Sequence, residues 1–519
     1  MSAPPAASGP EGATSVRAAR GGGLPRSNKA LSVSPLKISA PLGAALAFLG
    51  VERCLPCLHG TQGCTAFALV LLVRHFREPI PLQTTAMGEV STILGGFDNV
   101  EQALLNIQKR AHPRVIALLT TALTETRGED MVGDVAAIRR KHRELDDTAV
   151  VLTRVPDFAG SLETGWTKAV CALIETLVPE GEGPREADHI AVLPGAHLTP
   201  ADIEEVRALI EAFGLKATIL PDLSDSLDGH VPDAWSLTSL GGTPVNAIKG
   251  LGRTRAALVI GEHMRPAGAL LEARTGVPAI HLDTVTGLPA TDRLIEVLTE
   301  LSGRPAPKSV RRQRSRLQDA LMDAHFFFGG TRIALAGEPD FVWSMGTLLT
   351  GLGAILQTVV VPVDAPHLAA LPAESILVGD LEDLGTRAKG CDLLIASTNG
   401  QWPARHAGVP LFRAGFPVID RLGVPFRCSV GYRGTRDLVF ALGNALIESS
   451  EARHAAHDHA EGEPDALGNA GASDASLPAS GPVCQETSAC GACAPPSAFH
   501  QTEDTEHGRP AGRPQAAIG

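Results

Sequence analysis

The chain has 519 residues, 44% of them hydrophobic and 20% charged, with a formal charge of −12 and nine cysteines. That length accommodates about three globular domains of roughly 150 residues each. The acidic charge, an aromatic content of only 4% and a single tyrosine exclude a phosphate-neutralising surface and a base-stacking platform, so no nucleic acid partner is expected.

Residues 1–26 are rich in Ala, Pro, Gly and Ser without a hydrophobic period, and a disordered tail with no secretion segment is expected there. An odd number of cysteines in that setting argues against a disulfide framework and for reduced thiols in a cytoplasmic protein. The apolar runs APLGAALAFLGV and TAFALVLLV are shorter than the ~18 residues that span a bilayer, so no membrane partner is expected either.

The first stretch with chemical character is CLPCLHGTQGC, residues 54–64, with three cysteines, a histidine and two glycines. TAFALVLLVRHF follows it with helical character. Cys64 therefore falls at or just before a helix N-terminus, where unpaired N–H groups and the helix dipole favour the thiolate that metals bind. Gly60 and Gly63 would let the backbone approach an inorganic core. Three thiols fall one short of the four ligands that an iron–sulfur cube or a structural zinc site takes. Two readings stay open at this point: Cys54, Cys57 and Cys64 act together as a metal sensor, or another chain completes a cluster. His59 reads as a hydrogen-bonded structural residue. RHFREP places Arg74, His75, Arg77 and Glu78 at a helix end, where capping and subunit contact are expected.

Beyond this point, short aliphatic runs recur and end in Gly, Pro, Asp or Ser: RVIALLTT at 114–121, TAVVLTRVPD at 148–157, HIAVLPG at 189–195, KATILPD at 216–222 and AALVIGE at 256–262. TRIALAGEPD at 331–340, TVVVP at 358–362, SILVGD at 375–380 and DLLIAS at 392–397 continue the series. Stretches of helical period follow them, as in LTPADIEEVRALIEAFG, where Thr199, Pro200 and an acidic first turn mark a helix start. Such alternation predicts an α/β fold with parallel sheets flanked by helices. Breaks near 180–188 and 302–316 divide it into units at 27–185, 186–305 and 306–448, with a second disordered tail at 449–519. Ligands then belong at the carboxyl ends of strands, which singles out loops such as TTALTETRGED and PDLSDSLDGH.

Familiar catalytic motifs are missing: no Gly-Lys pair for a phosphate-binding loop, no His-Glu pair for a zinc-protease helix, no GxSxG elbow. GTLLTGLGAIL lacks the spacing of a dinucleotide fingerprint and reads as helix packing. Cys171, Cys391 and Cys428 adjoin apolar residues and read as small buried hydrophobes. The SVRRQRSRLQDALMDAH run reads as a solvated helix face. Cys484, Cys490 and Cys493, with His454, His457 and His459, fall in the low-complexity tail.

SNKALSVSPLK, GAALAFLGVERCLPCLHGTQGCTAF, VRHFREPIPLQTTAM, LPDLSDSLDGH, DAHFFFGG, VGDLEDL, RAGFPVIDRLG and VGYRGT together resemble the NifN family of nitrogenase iron-molybdenum cofactor biosynthesis proteins, from about Ser27 to Ile447. The resemblance implies three Rossmann-like domains of the nitrogenase component 1 subunit type. It also implies pairing with NifE in an α2β2 heterotetramer on which a cofactor precursor is matured, with transient visits from NifH and NifB and with nitrogenase as recipient. In nitrogenase-type β chains the cysteine of HGxQGC ligates an iron–sulfur centre at the subunit boundary, which implies that role for Cys64 and makes it the one metal and cofactor ligand expected here. The catalytic β subunit has further cysteines where this chain has Ala40 and Ala122. With a single thiolate, the chain could complete a [4Fe-4S] cluster whose other ligands come from NifE, in a scaffold role without catalytic residues. Relatives tend to show Ser-His-Gly where this chain has Thr398-Asn399-Gly400, so no histidine function is expected there.

Overall fold

The computed structural model describes residues 23–29, 32, 34–231 and 233–461, with side chains to Glu451. Thirteen strands among these residues form three separate sheets in which every pairing is parallel. The first sheet has the order β2 (Gln83–Thr84), β1 (Cys54–His59), β3 (Val115–Thr120), β4 (Ala149–Thr153). The second runs β6 (Lys216–Ile219), β5 (His189–Leu193), β7 (Ala257–Ile260), β8 (Ala279–Leu282). The third runs β11 (Ile376–Val378), β10 (Ile355–Val361), β9 (Arg332–Ala336), β12 (Leu393–Ala396), β13 (Leu411–Arg413).

All nine aliphatic runs become strands, because continuous Val, Ile, Leu and Ala suit a sheet covered on both faces. β3 is buried at all six positions. The helix start at Thr199 is a reciprocal cap: the Asp202 amide donates to Thr199 Oγ1 at 3.1 Å, and the Thr199 amide donates to the Asp202 carboxylate at 2.9 Å. In GTLLTGLGAIL, Gly346 lies within the Pro339–Gly351 helix, where an added Cβ would come within 2.8 Å of Leu371, so close packing excludes a larger residue.

The 180–188 break is the loop between the Leu162–Leu177 helix and β5. The basic run after 302 is itself helical from Lys308 to Phe328, with Arg314 paired to Asp292. Two boundaries differ from expectation. Leu24 is buried and Arg26 bridges Val378 of β11, so the strand edge of the third unit holds chain assigned to the N-terminal tail. The last helix runs from Gly431 to Glu461, past the boundary at 448. The remaining tail calls, including Cys484, Cys490, Cys493 and the side chains of His454, His457 and His459, lie outside the described residues. Among those described, no helix is long and apolar enough to cross a membrane.

In each sheet the chain winds outward in both directions from one pair of neighbouring strands: β1 and β3, β5 and β7, and β9 and β12. The loops leaving such a pair diverge to opposite faces and open a crevice at the strand carboxyl ends, where α/β proteins bind ligands.

Candidate functional site

The stretch CLPCLHGTQGC folds as a strand, a tight turn and the start of a helix. β1 takes Cys54 to His59 and is fully buried, and the Gln62–Phe76 helix begins just after Thr61. Cys54 belongs to the core on one face of the sheet and Cys57 to the core on the other. Burial pushes both thiols up, Cys57 to about 12. They are inert core residues and cannot converge on one ion with Cys64.

Cys64 is exposed in the first turn of its helix, and Thr61 Oγ1 lies 3.7 Å from its Sγ. The sulfur lines a cavity of about 660 Å³ together with Ser39, Pro41, Gly63, Phe67, Thr121 and Asn399. This is the crevice of the first sheet: Cys64 follows β1, and Thr121 follows β3 in the loop singled out from the sequence. Asn399, which follows β12, reaches it from the third unit. The immediate neighbours of Ala40 and Ala122 (Ser39, Pro41 and Thr121) line the same cavity, so the positions without cysteine converge on the one that has it. Among the described residues, Cys64 offers the only thiol on its wall.

The two glycines of the motif differ. A Cβ on Gly60 would come within 2.8 Å of Thr121 Oγ1, and its amide already donates to Thr85 Oγ1 at 3.2 Å, so Gly60 serves packing. A Cβ on Gly63 would meet only Thr61 Oγ1, at an ordinary 3.9 Å. His59 is structural: it is fully buried, with Nδ1 at 2.9 Å from Thr85 Oγ1 and Nε2 at 2.8 Å from Glu129.

The same helix carries an apolar stripe into solvent. Phe67 is 70% exposed and Val70 51%, and Val73 continues the line at the three-residue spacing that starts from Cys64. At its far end Arg77 closes the helix in the left-handed conformation, and His75 is buried with Nδ1 accepting the Val418 amide at 3.0 Å. The RHFREP block thus closes the helix, as its position predicts, and in addition ties it to Val418 and Ile419 of the third unit. The PDLSDSLDGH loop, by contrast, contributes nothing to this cavity; its Asp228 and His230 line another beside Trp235.

A family model described as nitrogenase component 1 type oxidoreductase matches residues 39–447. The nitrogenase iron-molybdenum cofactor biosynthesis protein NifN of Mesorhizobium japonicum is 51% identical over 429 residues, covering 82% of this chain and 93% of that protein. The NifN protein of Klebsiella pneumoniae is 39% identical over 436 residues, covering 83% and 94%. A solved structure of nitrogenase Cp1 at pH 6.5 superposes with a TM-score of 0.77 at 32% identity, covering 82% of this chain and 95% of that one. The chain belongs to the nitrogenase component 1 type oxidoreductase family, on the branch of its NifN relatives.

Proposed function

We propose that this chain is a scaffold subunit for assembly of the nitrogenase iron-molybdenum cofactor, working in the cytoplasm as the β-type partner of a NifE subunit in an α2β2 heterotetramer. In this reading Cys64 donates one thiolate to a [4Fe-4S] cluster at the subunit seam and NifE supplies the other three. The observation that carries the proposal is the placement of Cys64: an exposed thiol in a helix N-terminal turn, the only one among the described residues on the wall of its cavity, and continuous with an exposed apolar stripe.

The residues fit a shared cluster and do not fit one held by this chain alone, since four ligands are needed and one is present. When bound, the cluster would supply one-electron transfer. The protein's own part is to present the sulfur at the positive end of the helix dipole, which favours its thiolate, and to offer the unpaired amides of the first turn. Phe67, Val70 and Val73 would be covered by the partner, which would exclude water from the seam. The cofactor precursor would be held mainly by NifE, with NifB delivering it, NifH docking transiently and nitrogenase receiving the product.

A catalytic β-type subunit would need thiols at 40 and 122, where alanines stand. A three-cysteine metal sensor would need Cys54 and Cys57 on the surface beside Cys64, whereas both are buried on opposite faces of β1. The test is EPR of the reduced complex co-purified with NifE. Cys64→Ala is expected to abolish or alter the cluster signal, while Cys54→Ala and Cys57→Ala retain it; a signal indifferent to Cys64 refutes the assignment.

A further inference from the structure

The crevice of the second sheet faces inward. β5 runs into Pro194, Gly195, Ala196 and His197, and β7 into Gly261, Glu262 and His263. Two helix starts from the neighbouring units close over these loops: Glu163 in the first turn of the Leu162–Leu177 helix, and Asp340 in the first turn of the helix that follows β9. Glu163, His197, His263 and Asp340 each offer a ligand atom, and these atoms all lie within 4.8 Å of one another. Donors around one ion with bonds of about 2.1 Å stand roughly 3.4–4.2 Å apart, so small side-chain rotations close the set.

Several observations mark this as more than a chance cluster. Both ring nitrogens of His197 are shielded from solvent and have no hydrogen-bond partner. Asp340 is 1% exposed, yet its Oδ1 makes no hydrogen bond and has only the ion-pair contact of His367 Nε2 at 3.4 Å. Buried polar atoms left this way are costly unless something binds them. The backbone also makes room for the cluster. Gly261 adopts φ +100°, and a Cβ there would come within 2.5 Å of Asp340 Oδ2 and 3.2 Å of His197; a Cβ on Gly195 would meet both histidine rings at 2.8 Å.

We propose that His197, Glu163 and Asp340 bind one divalent first-row transition-metal cation, with His263 as a positioning residue for Asp340 and His367 poised as a further donor. The role of His263 follows from its ring. The Ala196 amide donates to its Nε2 at 3.2 Å, which leaves the proton on Nδ1, directed at Asp340 Oδ2 in a close pair. A histidine–carboxylate pair of this kind fixes a ligand's orientation from behind. Imidazole with two carboxylates is a donor set for Zn²⁺, Fe²⁺ or Mn²⁺. An oxyanion is disfavoured, because the imidazoles of His197 and His263 are faced by the carboxylates of Glu163 and Asp340. The carboxylates of Glu163 and Asp340 approach within 4.8 Å of each other, and a cation between them would offset their like charge. A cavity of about 1010 Å³ lined by Glu163, His263 and His367 opens on the cluster and gives an ion a way in.

The full-length chain, stripped with chelator and titrated with Co²⁺ as optical probe, tests this. Expected is saturable uptake of one equivalent, with d–d bands but no thiolate charge transfer, unchanged in Cys64→Ala and weakened at least tenfold in His197→Gln and Asp340→Asn. Unfolding of those two variants does not rescue the idea, because X-ray absorption on the Zn²⁺-loaded wild-type chain must show imidazole and oxygen neighbours. Absence of saturable uptake, sulfur at the metal, uptake unaffected in both variants, or thermal stabilisation by inorganic phosphate but not by Zn²⁺ overturns the proposal. Cys64→Ala separates the two sites: it removes the EPR signal of the seam and leaves Co²⁺ uptake intact.

Discussion

Two crevices of the same type lie in one molecule and have opposite characters. At the first sheet, Cys64 faces solvent with one ligand and an apolar stripe alongside, so whatever it holds must be completed from outside. At the second sheet, the proposed ligands Glu163, His197 and Asp340 meet with His263 from three units, the carboxylates buried and the histidines half-buried, so the set would be complete within the chain. Both use the third sheet, which sends Asn399 from its β12 loop to the open site and Asp340 from its β9 loop to the closed one. The strand order alone thus places ligands without deciding their use. Whether a crevice serves assembly or an internal ion depends on whether neighbouring units cover it.

That contrast breaks most readily at Trp166. It is fully buried, and its indole N–H donates to the Pro194 carbonyl at 2.9 Å, holding the loop that carries His197 against the Leu162–Leu177 helix. Removing a buried tryptophan costs about 3–5 kcal/mol. Trp166→Ala should lower the unfolding free energy from denaturant titration by that much and impair Co²⁺ uptake, while Cys64→Ala shifts stability by no more than ~0.5 kcal/mol. Equal stability losses from the two would erase the distinction between closed and open sites.

His75 sharpens it from the other end of the Cys64 helix. Burial lowers this histidine to about 4, against the pull of the Val418 carbonyl 3.2 Å from Nδ1, so the folded ring is neutral and accepts the Val418 amide. The unfolded chain, with an ordinary histidine near 6.5, binds a proton that the folded chain refuses. The tie to the third unit is therefore at full strength above pH 6.5 and is lost progressively as pH falls toward 4, by up to ~3 kcal/mol. His75→Gln, which keeps an acceptor but does not titrate, should flatten the stability profile over that window. An unchanged slope would mean that the helix is anchored without this bond.

Much of this organisation is legible in the residues, and what is hidden has physical reasons. The nine aliphatic runs announce their strands because both sheet faces are buried. β1 does not, since Pro56, two cysteines and a histidine disguise it as a ligand motif; the proline is tolerated because β2 pairs only with Cys57 and Leu58. β2, β8 and β13 are edge strands, mostly not fully buried and broken by Gln83, His281 and Arg413, so no continuous aliphatic run marks them. Cys64 stands out because it sits in one local segment with a family signature. The closed cluster has no such spacing: Glu163 and Asp340 are 177 residues apart, and only the meeting of three units brings them together. The sequence clue that was available was position, because His197, His263 and Asp340 all follow strand ends, where loops deserve suspicion whatever their motif content.

The smallest expected stability effect, and the most discriminating one, is at Phe67. A side chain 70% exposed contributes little to its own fold, so Phe67→Ser should leave the unfolding free energy within ~0.5 kcal/mol of wild type. The same change removes an aromatic anchor one helical turn from Cys64, and aromatic residues in covered interfaces contribute on the order of 1–2 kcal/mol to association. Roughly tenfold weaker capture of NifE, measured by titration of the separately purified subunits, is therefore expected alongside unchanged stability and unchanged Co²⁺ uptake. Tight association with serine at 67 would place the seam on another face and leave Cys64 without a partner to complete its ligand set.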